Sequence, residues 1–169
     1  MKRFATVLTV LLMSAAVPAF AGSFGIYGSY WDSSDVEETY GGGVRVGFNF
    51  LKWLELEFHG TYYDDFEEDV VEVSAIPIDG GLRFNFLHDR KVNPFIGAGV
   101  TYYLMDANEF EIDDEFGYYA QAGIEFGGNT KFFAEAMWRI LEATADDGIT
   151  DEEVDFDGFG INLGVNWRW

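Results

Sequence analysis

Basic residues are scarce in this chain: ten Lys and Arg stand against 30 Asp and Glu in 169 residues, a formal net charge of −20 at pH 7. That balance excludes nucleic acid as a partner, because gripping phosphates takes a surplus of Lys and Arg. Cysteine is absent, so an oxidising compartment is neither exploited nor excluded. Only two histidines are present, His59 and His88, too far apart in sequence to suggest a zinc site. No glycine-rich phosphate loop precedes a helix, and beyond the N-terminus no apolar stretch is long enough for a membrane helix. Apolar surface, by contrast, is plentiful. The chain is 49% hydrophobic and 18% aromatic, which excludes a disordered acidic polymer, and its length is that of one domain.

The N-terminus reads as a secretory signal. Lys2 and Arg3 precede an apolar run from about Ala5 to Ala16, followed by Ala19-Phe20-Ala21 as a small-x-small cleavage site. The expectation is a signal peptide over residues 1–21 and a mature domain over 22–169. An uncleaved anchor would need roughly 20 apolar residues, more than this run supplies.

The rest of the chain repeats with a period of two. In the last segment Phe159, Ile161, Leu163, Val165, Trp167 and Trp169 fall on one face, and Gly158, Gly160, Asn162, Gly164, Asn166 and Arg168 on the other. Such alternation specifies a strand, since successive side chains point to opposite faces of the pleat. Val44, Val46, Phe48 and Phe50 oppose Gly43, Arg45, Gly47 and Asn49 in the same way. Leu54, Leu56, Phe58, Gly60 and Tyr62 oppose Glu55, Glu57, His59 and Thr61. With similar segments near 23–31, 73–86, 94–105, 116–126 and 132–141, the pattern predicts an all-β fold, an eight-stranded antiparallel up-and-down transmembrane β-barrel. A soluble ligand-binding barrel shows the same alternation, but its polar face is dense in Lys, Glu, Ser and Thr. Here that face is glycine-rich, with four Arg against five acids, which suits a packed interior with the bulky apolar face turned to lipid.

Connections alternate in length and charge. Those at Leu51–Trp53, His88–Asn93 and Gly127–Thr130 with Lys131 are short and carry Lys52, Arg90, Lys91 and Lys131. The links Asp32–Thr39, Asp64–Glu72, Asp106–Glu115 and Glu142–Asp157 are longer, hold 24 of the 30 acids and contain no Lys or Arg. Because outer-membrane barrels have short periplasmic turns and long outer loops, the acidic end is expected outside and both termini in the periplasm. Tyr30, Tyr40, Tyr62, Tyr63, Tyr102, Tyr103, Tyr118 and Tyr119 gather near the acidic end. Phe50, Trp53, Phe86, Phe126, Phe132, Trp167 and Trp169 gather at the other, as two interfacial girdles would.

These stretches resemble the small outer-membrane β-barrel family that includes the OmpA transmembrane domain and OmpX. The likeness lies in Gly41-Gly-Gly-Val-Arg-Val-Gly-Phe-Asn-Phe, Leu54-Glu-Leu-Glu, Ile76-Pro-Ile-Asp-Gly-Gly-Leu-Arg-Phe-Asn-Phe, Pro94-Phe-Ile-Gly-Ala-Gly-Val and the Trp169 ending, and it covers the mature chain. It implies a location in the outer membrane of a Gram-negative-type bacterium. The implied partners are outer-membrane lipid and lipopolysaccharide, with the barrel-assembly machinery reading Phe159, Ile161, Leu163, Val165, Trp167 and Trp169 during insertion. It specifies architecture strongly and activity hardly at all. Pro77 departs from the pattern by removing a ladder donor in a barrel without a free edge.

Two sets of residues are candidates for function. Parity sends Arg45, Glu55, Glu57, His59, Asp79, Arg83, Glu125, Glu135, Arg139 and Arg168 into the lumen, where they form either a plug of ion pairs or, with room left by the glycines, the lining of a narrow small-solute channel. The turn at Leu51–Trp53 is expected to pair Phe50 with Leu54 and so set Arg45 opposite His59. Aligning Gly123 with Glu135 sets Tyr119 opposite Arg139. The loop acids are the second set. Glu153-x-Asp155-x-Asp157-Gly158 has the spacing with which a calcium loop opens, although the closing position falls on Gly164; with Asp151 these acids are the candidate metal residues, since hard carboxylate oxygens suit Ca²⁺ or Mg²⁺. A cationic extracellular partner, or a hydrated acidic coat suited to a salty habitat, is equally consistent with them. No cofactor is otherwise expected. An enzyme is not expected either, since neither histidine has a nucleophile and an orienting acid at useful spacing on the lipid face. The reading is of a monomer with a structural or surface-binding role.

Overall fold

The computed structural model describes residues 22–33, 38–68, 71–88, 90–107, 115–140, 142–146, 151–155 and 157–169. Alternation becomes strand wherever the sequence carried it. The barrel strands are β1 (Gly22–Ser33), β2 (Thr39–Leu51), β3 (Leu54–Glu68), β4 (Val71–Asn85), β5 (Val92–Ala107), β6 (Glu115–Gly127), β7 (Thr130–Ile140) and β10 (Gly158–Arg168), all paired antiparallel with their neighbours. Phe24 opposite Trp167 and Tyr30 opposite Ile161 join the first strand to the last and close the cylinder. Backbone bonds between Gly22 and Trp169, 3.3 and 3.2 Å in the two directions, finish the seam.

The strands are longer than a bilayer requires. β3 and β4 have 15 residues each and β5 has 16, where about 9 to 11 cross the hydrocarbon. Much of the segment Asp64–Glu72 expected as loop is therefore hairpin, with Phe66 opposite Val73 and Glu68 opposite Val71. An antiparallel ladder can run on past the apolar pattern because its bonds are made by backbone alone. Within the fourth loop, β8 (Glu142–Asp146) and β9 (Asp151–Asp155) pair as a separate two-stranded sheet, an element without a clean sequence period.

Register follows expectation at the centre and departs from it at a turn. Arg45 lies opposite His59, and Gly123 opposite Glu135 with Tyr119 opposite Arg139. At the β2–β3 turn, however, Leu51 rather than Phe50 pairs with Leu54, across a register shift between Asn49 and Leu51. One extra residue in the strand tightens the hairpin and leaves the ladder above it unchanged. Pro77 is paired with Tyr103 of β5. On its other side the β3–β4 pairs run from Gly60–Ile78 to Tyr63–Ala75 before shifting register between Tyr63 and Phe66, so the irregularity sits at the long-loop end, as a missing donor there allows.

The outward face is apolar around the wall, with Ile26, Phe58, Leu82, Ile96, Val100, Trp138 and Leu163 all exposed. At the short-turn end Trp53 packs 5.2 Å from Phe84, and Phe126 lies 5.9 Å from Phe132. At the other end Tyr30 meets Tyr40 at 5.3 Å and Tyr102 meets Phe116 at 4.9 Å. Three of the tyrosines expected in that girdle do not belong to it. Tyr63, Tyr103 and Tyr119 are buried in the lumen, because each follows another tyrosine and the pleat must turn one of two neighbours inward.

Gly127 closes β6 with φ 143°, a region that side chains with a Cβ avoid, and a Cβ there would collide with the Thr130 carbonyl. Gly127→Val is expected to destabilise the barrel by about 1–3 kcal/mol, measured by urea unfolding from lipid vesicles, whereas Gly128→Val, at a position where a Cβ meets nothing within 4 Å, is expected to change little.

Candidate functional site

Inward parity gathers charge from all around the wall. Glu125 of β6 is the hub: Arg45 donates from Nη2 at 2.7 Å, Arg168 from Nη2 at 2.8 Å and Asn166 from Nδ2 at 3.1 Å. Arg83 Nη2 stands 2.7 Å away and Lys131 Nζ 3.7 Å. Four cations around one buried carboxylate require further anions. Glu55 supplies one, 3.4 Å from Arg168 and held by Ser23 Oγ at 2.5 Å and Asn85 Nδ2 at 3.2 Å. Glu135 takes Arg45 at 3.4 Å and Asn162 at 2.8 Å. Glu57 lies 3.4 Å from both Arg83 and His59 and accepts from Gln121.

A second cluster lies toward the long-loop end. Arg139 donates to both oxygens of Asp79, at 2.6 and 3.2 Å, a two-pronged contact that fixes orientation as well as charge. Thr101 donates to Asp79 at 2.7 Å, and Tyr63 bridges Arg139 at 3.4 Å and Ser29 at 2.9 Å.

All ten residues predicted for the lumen are there, and nine of them are bound into these two clusters through ion pairs with at least one other predicted member. His59 is the loosest: buried, 3.4 Å from Glu57 but without a hydrogen bond on either ring nitrogen among the described residues. Lys131 is a correction. Expected in a turn, it is buried against Glu125, and it shares parity with Glu135 and Arg139 on β7, which was the available signal. With it the described lumen carries five Lys and Arg against five Asp and Glu. His88 lies in the β4–β5 connection. Arg45 faces His59 in register yet pairs across the barrel, a contact that strand-to-strand alignment alone does not reveal.

The room expected beside the glycines is occupied. A Cβ on Gly43 would strike the Tyr27 ring, and one on Gly123 the Phe95 ring. The rings in turn carry cations: the Arg83 guanidinium lies 3.7 Å from the Phe95 centroid and Arg45 3.9 Å from that of Phe133. Glycines thus admit the aromatic rings paired with them on the neighbouring strand, and the arginines stack on the rings. Chemically the arrangement neutralises itself.

Of the proposed metal residues, Asp151, Glu153 and Asp155 lie on β9, opposite Asp146, Thr144 and Glu142 of β8, with side chains outside the described residues. Asp157 precedes β10 and is half-buried. Among the described residues no group of three or more His, Asp or Glu is placed to hold a metal ion.

Residues 5–168 match the family described as the outer membrane protein beta-barrel domain. The chain belongs to that family. As an outer-membrane β-barrel it is similar in structure to Neisserial surface protein A (NspA), at 12% identity and a TM-score of 0.64 over 88% of this chain and 95% of that one. It is similar to the outer membrane protein OprG from Pseudomonas aeruginosa, at 14% identity and a TM-score of 0.64 over 89% and 97%. The outer membrane enzyme PagL has the same fold at 13% identity, with a TM-score of 0.51 over 85% and 98%. At such identities the likeness concerns the fold. No curated protein matches this outer-membrane barrel in sequence.

Removing the hub tests the lumen directly. Glu125→Gln leaves Arg45, Arg83 and Arg168 short of one anion, and breaking one partner of a buried network costs about 3–5 kcal/mol. Urea unfolding in vesicles should therefore shift markedly for Glu125→Gln, while Asp32→Asn, at an exposed position near the long-loop end of β1, should leave it nearly unchanged.

Proposed function

We propose that this outer-membrane barrel is a structural and surface-binding protein: a stiff, non-conducting cylinder that displays acidic loops outside the cell. The carrying observation is the filled and charge-balanced lumen of the described residues, which supports placing activity at the ends of the barrel rather than through it. In this reading a signal peptide over 1–21 is removed, both termini lie in the periplasm, and the 24 carboxylates of the four long connections face outward among lipopolysaccharide. Mutual repulsion among so many acids favours binding of divalent cations or of a cationic partner. Asp151, Glu153, Asp155 and Asp157 are the residues we assign to Ca²⁺ or Mg²⁺. The outward residues Phe159, Ile161, Leu163, Val165, Trp167 and Trp169 are the signal for the assembly machinery, and the protein acts as a monomer without catalytic activity.

A fold shared with an enzyme does not carry the enzyme's chemistry with it. His59 sits in the lumen against Glu57, away from the lipid face where a lipid hydrolase would work. The alternative of a small-solute channel meets the side chains that fill the lumen.

A calcium titration of the refolded protein in detergent tests the loop assignment. Ca²⁺ should raise thermal stability and protect the loops from protease in a saturable way, and Na⁺ at equal ionic strength should not; the pair Asp155→Asn and Asp157→Asn should weaken the effect. Equal responses to both salts would leave only a hydrated acidic coat. In planar bilayers the protein should give no discrete conductance, and steps that change with Arg45→Gln or Arg139→Gln would instead establish the channel.

A further inference from the structure

Beyond the lumen and the loops, one charged feature stays unused at the short-turn end. Lys52 occupies the β2–β3 turn, and Arg90 and Lys91 the β4–β5 connection; all three are exposed. Among the described residues none of the three has a carboxylate partner, whereas Lys131 at the start of β7 is drawn inward to Glu125. In sequence these turns contain one acid, Asp89, against the three bases.

The height of these bases on the barrel is fixed by backbone. Asn85 N–H donates to the Trp53 carbonyl at 2.8 Å, Gly127 N–H to that of Lys91 at 2.7 Å, and Arg168 N–H to that of Asn129 at 2.9 Å. The Arg90 carbonyl in turn accepts from Lys131 Nζ at 3.4 Å. The turns are thus tied to neighbouring strands and to one another as a collar around the rim. Immediately along the chain from Lys52 lie Phe50, Leu51 and Trp53, and from Arg90 and Lys91 lie Leu87 and Val92, all exposed apolar residues. The last lipid-facing side chains and the bases therefore differ in height by a residue or two. At that depth the stems of Lys and Arg run along apolar surface while their charged heads reach the polar edge of the bilayer.

We infer that Lys52, Arg90 and Lys91 form a collar that binds anionic phospholipid headgroups in the leaflet meeting the short turns. Lipid is the occupant because the turns are too short to project beyond the headgroup layer, the charge is complementary to a phosphodiester with an uncompensated negative charge, and the adjoining residues are apolar and exposed, as a lipid-facing surface requires. Carboxylates crowd the opposite end and repel the same lipids there, so selection for anionic lipid arises at one rim only. The inference uses the membrane-spanning fold and is independent of what the loops bind.

The test is electron spin resonance of the refolded protein in phosphatidylcholine bilayers containing a trace of spin-labelled phosphatidylglycerol or spin-labelled phosphatidylcholine, with chelator present so that no divalent cation contributes. The motionally restricted fraction next to the protein should favour phosphatidylglycerol by roughly fivefold at low salt, decline as NaCl is raised, and lose its preference in the triple variant Lys52→Gln, Arg90→Gln, Lys91→Gln. Heat-dependent gel migration verifies that the variant is folded. Should the triple variant fail to fold, Lys52→Gln alone and the pair Arg90→Gln, Lys91→Gln should each remove part of the preference. Equal restriction of both lipids by the unaltered protein, or a preference that survives these substitutions, would overturn the inference.

Discussion

Hydrocarbon offers no partner to a backbone N–H or C=O, and a sheet that crosses it must leave no edge. The pairing of β1 with β10 meets that demand, and closing the sheet at eight strands governs the rest of the molecule. Eight strands fix the width of the interior at about what side chains can fill. The width in turn dictates composition: a ring turned into so narrow a lumen requires a glycine at the paired position of the neighbouring strand, as Tyr27 does at Gly43 and Phe95 at Gly123.

Filling a lumen with charge is costly unless each charge is matched. The described interior solves this with two clusters of different character. Around Glu125 several cations share a carboxylate, and Glu55 and Glu57 of β3 and Glu135 of β7 balance them. Around Asp79 one arginine is held at both oxygens and braced by Tyr63. Such contacts span strands far apart in sequence, 80 residues for Arg45 and Glu125, so they hold the cylinder across its diameter where the ladder holds it around its circumference. The ends differ correspondingly: the short-turn rim is tied by backbone bonds and carries exposed bases, while the long-loop rim continues as hairpins rich in acids.

Period two made most of this legible. Parity alone put Arg45, Asp79, Glu125 and Arg139 inside and Leu82, Ile96 and Leu163 outside, and a turn length was enough to set Arg45 against His59. Three things were not legible, each for a physical reason. Which acid binds which base depends on distances across the lumen, and local sequence encodes only the neighbouring strand. Lys131 read as a turn residue because strand ends are poorly marked, although it has the parity of Glu135. Tyr63, Tyr103 and Tyr119 read as interfacial because ring chemistry suits both a girdle and a packed lumen, and only the pleat tells them apart. The hairpin extension at Phe66–Val73 is made by backbone bonds that leave no side-chain period to read.

The absence of cysteine allows the central claim, that the lumen is filled rather than open, to be measured with a single introduced thiol. Met137 is fully buried at mid-barrel and Lys52 is exposed in a turn. In the folded protein, Met137→Cys should react with a small water-soluble thiol reagent orders of magnitude more slowly than Lys52→Cys, and both should react alike after unfolding. Rapid labelling of Met137→Cys in the folded barrel would mean that water and solutes traverse the interior, which a packed, self-neutralised lumen forbids.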